Sequence, residues 1–350
     1  MTEPPRDVAR FADGAVGGSQ DWPAVSAVLT ALNEEKHLRS AVRSVLGQDY
    51  PGEIEVVVAL GPSRDRTDEI AAALAADDGR VRTVANPSGR TPEGLNRAIG
   101  AARHGVIVRV DGHAELPDGY VRTAVEALQR TGAVNVGGLM GAAGRTDFEV
   151  AVACAMTTRF GVGNAPFHVG GDEGPAETVY LGVFRREAIE AVGGYDEAFT
   201  RAQDWEMNYR LRRAGGLIWF TPALRVSYRP RGSVSALAHQ YFNYGKWRGE
   251  VMRQHPDTVN MRYLAPPVAV TAVAVGLVAG VVGAWVPWLR FGFAVPLGYA
   301  AGVLVGSVVT GRELPGKAML WLPVVYPTMH GSWGAGFLST LRRYIGPARR

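Results

Sequence analysis

The chain has 350 residues, 37 Lys and Arg against 33 Asp and Glu for a formal charge of +4, and 47% apolar side chains, a length that suits about two domains. Its single cysteine, Cys154, excludes an internal disulfide framework and a cysteine-based metal cluster. From Pro266 onward seven basic residues stand against one acidic residue (+6), leaving 30 basic and 32 acidic (−2) before it; a slightly acidic body with a basic apolar tail points to a membrane surface and away from nucleic acid.

Residues 1–22 contain no apolar run and read as a disordered arm without a secretory signal, which places the body of the chain in the cytoplasm. VSAVLTAL, bounded by Pro23 and Asn33, is the first expected strand, and Glu34–Leu46 a helix by the spacing of Leu38, Val42, Val45 and Leu46. IEVVVAL, VRTVAN and VIVRVD continue as strands, with helices at Asp68–Ala76 and Pro92–Arg103 between them. Continuous apolar strands alternating with helices predict an α/β fold built on a mostly parallel sheet covered on both faces. A dinucleotide-binding Rossmann domain needs Gly-x-Gly-x-x-Gly after its first strand, but Thr30-Ala31-Leu32-Asn33-Glu34-Glu35 stands there, and no Walker A motif occurs.

Between Arg262 and Arg290 lie 27 uncharged residues, and Phe291–Gly311 adds 21 more. About 20 helical residues cross a bilayer core. Membrane spans over about 265–289 and 291–311 therefore outweigh a buried hairpin in a soluble core. With the body inside, the first span exits near Arg290 and the second returns at Arg312 and Lys317. A third span would carry Arg342, Arg343, Arg349 and Arg350 outside, against the positive-inside tendency, so 318–341 reads as interfacial or re-entrant. The expected organisation is a catalytic body over 23–250 and a multi-pass region of the cell membrane over 251–350.

Three places carry candidate chemistry. At the end of VIVRVD, Asp111-Gly112-His113 sits at the carboxyl edge of the sheet, where ligands collect. An Asp and a His two apart can face one cation, Mg2+ or Mn2+, whose other ligands are substrate phosphates; turn chemistry is the plainer alternative. Asp204, in Gln203-Asp204-Trp205-Glu206, is either a helix cap or a general base that takes a proton from an acceptor hydroxyl. Gln240 to Arg248, with Tyr241, Tyr244, Lys246 and Trp247, lies before the first span, as interfacial anchoring or as a clamp for a lipid-linked acceptor or diphosphate. Arg90 and Lys246 are phosphate-contact candidates or plain surface charges. His168, in GVGNAPFHVGGDEG, belongs either to a mobile lid over the site or to a flexible loop.

Taken in order, these pieces resemble the family-2 inverting glycosyltransferases of GT-A fold. VSAVLTALNEEKHLRSAVRSVLGQDYP is similar to that family's first strand and helix, GPSRDRTDEI to its Asp-Gly-Ser-x-Asp-x-Thr segment, and Asp111-Gly112-His113 to its Asp-x-Asp. VYLGVFRREAIEAVGGYDEAF with QDWEMNYRLRRAGG resembles the acceptor region, and Gln240–Trp247 a loose Gln-x-x-Arg-Trp element. The combination looks most like the succinoglycan-type exopolysaccharide branch. The resemblance implies a nucleotide-sugar donor, UDP-linked, held by Thr30, Asn33, Glu34, Asp65, Arg90, Asp111 and Gly112, with the cation on Asp111 and His113. It implies Asp204 as the base, and Trp205, Glu206, Gln240, Lys246 and Trp247 toward a lipid-linked or glycan acceptor. Gly61, His113 and Gln203 depart from the family pattern. A polyprenyl-phosphate sugar synthase and a decayed nucleotide-sugar binding protein are the competing readings.

Overall fold

The structure, a computed structural model, describes residues 22–341. The arm expected over 1–22 lies outside them except for Trp22, as do the closing arginines 342, 343, 349 and 350.

In chain order the elements are β1 (Val25–Ala31), α1 (Leu38–Leu46), β2 (Ile54–Leu60), α2 (Thr67–Asp77), β3 (Val81–Ala85), α3 (Thr91–Ala101), β4 (Val106–Asp111), α4 (Tyr120–Thr131) and β5 (Asn135–Ala142). Three helices follow, α5 (Asp147–Met156), α6 (Arg159–Val162) and α7 (Pro166–Val169), then β6 (Gly174–Pro175), β7 (Tyr180–Arg185), α8 (Arg186–Ala191), α9 (Gln203–Arg213) and β8 (Ile218–Tyr228). The chain continues through α10 (Val234–Gln254), α11 (Met261–Val282), α12 (Ala294–Thr310), α13 (Gly316–Met319) and α14 (Leu322–Leu338). The described residues form two units, one running to Gly141 and resuming over Gly170–Tyr228, the other made of Ala142–Val169 and the chain from Arg229.

The first unit is built on an eight-stranded sheet in the order β3-β2-β1-β4-β7-β5-β8-β6. β1 pairs in parallel with β2 and β4, and β2 with β3, whereas β7 runs antiparallel to β4 and β5. The sheet is thus mixed, with the expected parallel ladder forming one half. Val25, Ala27, Val28, Leu29, Val56, Val57 and Val58 are fully buried, as strands covered on both faces require. On α1, Leu38, Ala41, Val42 and Val45 recur at helical spacing and turn one apolar stripe into that core. The helix starts at Leu38 rather than Glu34. The Glu34 amide donates to Thr67 Oγ1 at 2.7 Å and the Glu35 amide to Asp65 Oδ2 at 3.1 Å, so the backbone before Leu38 is tied to the neighbouring loop. Register pairs Thr30 with Asp111 and Ala31 with Leu60, so the ends of β1, β2 and β4 share one edge.

In the second unit α10 packs along α14, and α14 also meets α5, α11 and α12. Leu322, Val325, Tyr326 and Met329 are fully buried there, with the Tyr326 hydroxyl beside Thr158 Oγ1 at 3.2 Å and Thr310 Oγ1 at 2.7 Å. The segment expected to be interfacial is therefore a helix with a buried face. Met261–Val282 and Pro287–Thr310 are long and apolar enough to cross a membrane. Val268, Val275, Val278, Leu297, Leu304 and Val305 on these helices are exposed.

Candidate functional site

Arg109 organises the carboxyl edge of β4. It is a charged side chain within a strand of buried valines, and only 8% of it reaches solvent. Nη2 donates to Asp111 Oδ1 at 2.8 Å, and Nη1 pairs with Asp204 Oδ2 at 2.5 Å. One guanidinium thus joins two carboxylates that lie 93 positions apart in the sequence (204 − 111). Burial works against the charge on Arg109, but Asp204 and Asp111 beside it outweigh that and hold it firmly protonated.

Asp204 is the second residue of α9. The residue before the helix, Ala202, takes a left-handed conformation (φ 59°) and provides no side-chain cap, so the capping role open to Asp204 from its spacing is not the one it fills. Its side chain is 32% exposed overall, yet Oδ1 is shut off from solvent, and the Tyr195 hydroxyl interacts with the same carboxylate. Burial pushes its pKa up, Arg109 pulls it down and Asp111 pushes it up again; the balance is a carboxyl above the ordinary aspartate range. The buried Tyr195 hydroxyl belongs to the same cluster, its pKa raised by burial and by Asp204. Asn96 on α3 sets that tyrosine: its Oδ1 accepts from the Tyr195 amide at 2.8 Å and its Nδ2 donates to the Tyr195 carbonyl at 2.8 Å.

Asp111, Gly112 and His113 form the turn leaving β4. A Cβ on Gly112 would stand 2.7 Å from the Thr30 carbonyl and 3.3 Å from Glu34 Cγ, so only glycine lets β1 and this turn come so close. His113 Nδ1 faces Glu34 Oε1 at 3.0 Å. A carboxylate on one ring nitrogen is how metal-binding histidines are commonly oriented, and it would leave Nε2 as the ligand atom. No group of three or more His, Cys, Asp or Glu side chains among the described residues makes a metal cage. Asp111 and His113 fit a cation that draws its other ligands from phosphate and water, as Mg2+ and Mn2+ do in phosphate sites.

The remaining expected site residues divide. Thr30 and Glu34 join Asp111, Gly112 and His113 at the edge. Asn33, itself left-handed (φ 58°), accepts from the Arg64 amide at 2.9 Å, and its amide donates to Ser63 Oγ at 3.1 Å. Asp65 accepts from Thr67 Oγ1 at 2.5 Å, from the Thr67 amide at 3.1 Å and from the Glu35 amide. Desolvation pushes its pKa up, but these bonds outweigh it and the carboxyl lies below its usual range. Both side chains thus shape the loop as well as lining it. Arg90 is held by Glu93 and donates to the Glu197 carbonyl at 3.3 Å. Glu206 is buried in a two-pronged pair with Arg210, which in turn binds the carbonyls of Val192 and Gly194, so it braces the turn before Tyr195. Trp205 stacks on Tyr209 with ring centroids 5.8 Å apart. Gln240, Lys246 and Trp247 lie on α10 in the second unit, where Gln240 Nε2 donates to the Tyr244 hydroxyl at 2.8 Å.

Arg109, Tyr195 and Asn96 were missed in reading the sequence. The available signal was the charge itself: an arginine inside a continuous apolar strand has to be paired.

The family model for glycosyl transferase family 2 matches residues 26–193. The succinoglycan biosynthesis protein ExoA of Rhizobium meliloti (strain 1021) is 33% identical over 315 residues, 89% of this chain and 92% of that protein. The dolichyl N-acetyl-alpha-D-glucosaminyl phosphate 3-beta-D-2,3-diacetamido-2,3-dideoxy-beta-D-glucuronosyltransferase of Methanococcus voltae is 23% identical over 239 residues, 66% of this chain and 74% of that protein. Among solved structures, the mannosyltransferase PcManGT from Pyrobaculum calidifontis, in complex with GDP-Man and Mn2+, superposes with a TM-score of 0.58 at 18% identity, covering 95% of this chain and 92% of that one.

Proposed function

The chain belongs to glycosyl transferase family 2 with a GT-A fold, and on that premise we propose that it moves a sugar from a UDP-linked donor to a hydroxyl of a lipid-linked or glycan acceptor, with inversion, in the making of a cell-surface polysaccharide. The observation that carries this reading is the shared guanidinium of Arg109, which brings the carboxylates of Asp111 and Asp204 to one place. The exopolysaccharide setting is supported by the ExoA relative, which matches along nearly its whole length.

In the proposed reaction Asp204 accepts the proton of the acceptor hydroxyl as that oxygen attacks the anomeric carbon on the face opposite the departing nucleotide. A carboxyl with a raised pKa is a stronger base once ionised, and Arg109 keeps the ionised form present. Asp111 and His113 would hold Mg2+ or Mn2+, which when bound would neutralise charge on the diphosphate leaving group. Thr30, Glu34 and Gly112 shape the cradle on the donor side. The two long apolar helices would cross the cell membrane and keep the first unit on its cytoplasmic face, close to a lipid-linked acceptor.

The test uses the full chain in detergent with UDP-glucose, UDP-galactose, UDP-N-acetylglucosamine and GDP-mannose, a polar lipid extract as acceptor, and released nucleotide as readout. At least one donor should turn over, stop with EDTA and resume with Mn2+ or Mg2+. Asp204→Asn should lower turnover by about 10²–10⁴-fold, the range of a general base, while nucleotide binding persists. Normal turnover by Asp204→Asn removes the base role and favours a lipid-phosphate acceptor, which needs no deprotonation. No turnover of any donor leaves a binding protein.

A further inference from the structure

A buried guanidinium between two acids is costly to assemble, because each charge gives up water. Arg109 is the second residue before Asp111 on the same strand, so its Cα is fixed by the ladder from β1 to β4. Asp204 comes from a helix start whose left-handed Ala202 and whose Glu206–Arg210 brace are both independent of Arg109. The guanidinium is thus a rigid fork presented by the sheet, and the acid on α9 is brought to it. A lysine ammonium is a point charge without this fork, so it cannot hold two carboxylates at a set spacing in the same way. The fork takes up Asp204 Oδ2, while Oδ1 is closed off from solvent in the cluster that also holds the Tyr195 hydroxyl.

We propose that Arg109 is a positioning residue for transfer: its two terminal nitrogens hold Asp204 and Asp111 at one fixed spacing, so that the base on α9 and the donor-side carboxylate on β4 keep their separation. The inference rests on the reading of Asp204 as the base. Arg109 touches neither substrate nor the reacting atoms, and acts through the two carboxylates. Its loss therefore falls on turnover through Asp204, and reaches nucleotide binding only through Asp111.

The test compares Arg109→Lys, Arg109→Gln and Asp204→Asn in the full chain, using the donor that turns over in the panel above, a UDP binding titration and thermal melting. Arg109→Lys keeps the charge and should lower kcat on the order of 100-fold, as expected for a reacting group displaced by about 1 Å, with the donor KM within about threefold and UDP binding retained. Added to Asp204→Asn, it should cause no further loss. Arg109→Lys that melts with the parent and keeps kcat within about twofold overturns the proposal. If Arg109→Lys does not fold, Arg109→Gln decides by the same readouts: its single amide cannot hold both carboxylates, so a kcat loss of about tenfold or more with UDP binding retained supports the proposal, and unchanged kcat overturns it. An Asp204→Asn enzyme of normal activity instead removes the base reading itself, a result distinct from either outcome for Arg109.

Discussion

His168 is half-buried, with one ring nitrogen unmatched. It sits in α7, tilted against Phe167 with ring centroids 4.2 Å apart, and its Nδ1 is closed off from solvent without a hydrogen-bond partner. Burial lowers its pKa from 6.5 to about 4, so the folded chain holds the neutral ring. Between those values the unfolded chain binds the extra proton, and stability rises with pH. Acidification from about 6.5 toward 4 should thus drain stability, with no further loss from this group below about 4. His168→Gln should flatten the fall of melting temperature with pH over that window relative to the parent. Parallel profiles for the two proteins would show that the ring is solvated. The same residue scale explains what the sequence hid. Arg109 lies 95 positions from Asp204 (204 − 109), and no local pattern reports a pairing of that range. Asp204 carried two readings by spacing, and the positive φ of Ala202, visible only in three dimensions, removed the capping one.

Among the elements, the pairing of α10 with α14 depends on two missing side chains. A Cβ at Gly245 would lie 1.9 Å from the Trp333 carbonyl, and one at Gly336 would lie 2.0 Å from the Phe242 carbonyl. Each helix places a glycine against the other's backbone, the device that lets apolar helices approach closely. Gly245→Ala should force them apart at a cost of about 1–3 kcal/mol, a fall in melting temperature of roughly 2–10 °C for a unit of this size. Gly298→Ala on α12, where an added Cβ meets nothing, is the control and should leave melting unchanged or slightly raised. Equal melting of Gly245→Ala and the control would mean that the helices do not pack this way in solution. Elements were more legible than pairings. VSAVLTAL, IEVVVAL and VIVRVD announced themselves because strands buried on both faces must be continuously apolar. The late start of α1 was not visible, since it follows from Thr67 and Asp65 capturing the Glu34 and Glu35 amides across 33 and 30 positions. The antiparallel half of the sheet also escaped, because the direction of β7 is set by the chain's return and not by its composition.

On the scale of the whole molecule, the separation of charge from apolar length makes a prediction about sidedness. Met261–Val282 and Pro287–Thr310 were readable as candidate spans because a bilayer core demands about 20 uncharged helical residues, which few soluble helices supply. The helix Leu322–Leu338 was not readable in this way, since the same mixture of Pro, Gly and aromatics suits an interface or a packed helix. The connection between the two apolar helices exposes Trp285, Trp288 and Phe291, the kind of side chain that settles at a membrane–water boundary. Arg231, also exposed, precedes α10 and so comes before the first of the two apolar helices in the chain. If the helices cross the membrane with the first unit inside, position 288 faces outward and position 231 faces the cytoplasm. Single cysteines placed at each, in a Cys154→Ser background, separate the cases with a membrane-impermeant maleimide. Trp288→Cys should label in intact cells, with Trp288 69% exposed at the hairpin turn, and Arg231→Cys only after the cells are permeabilised. Labelling of both positions only after permeabilisation would place the hairpin within the cytoplasmic leaflet or in a soluble core.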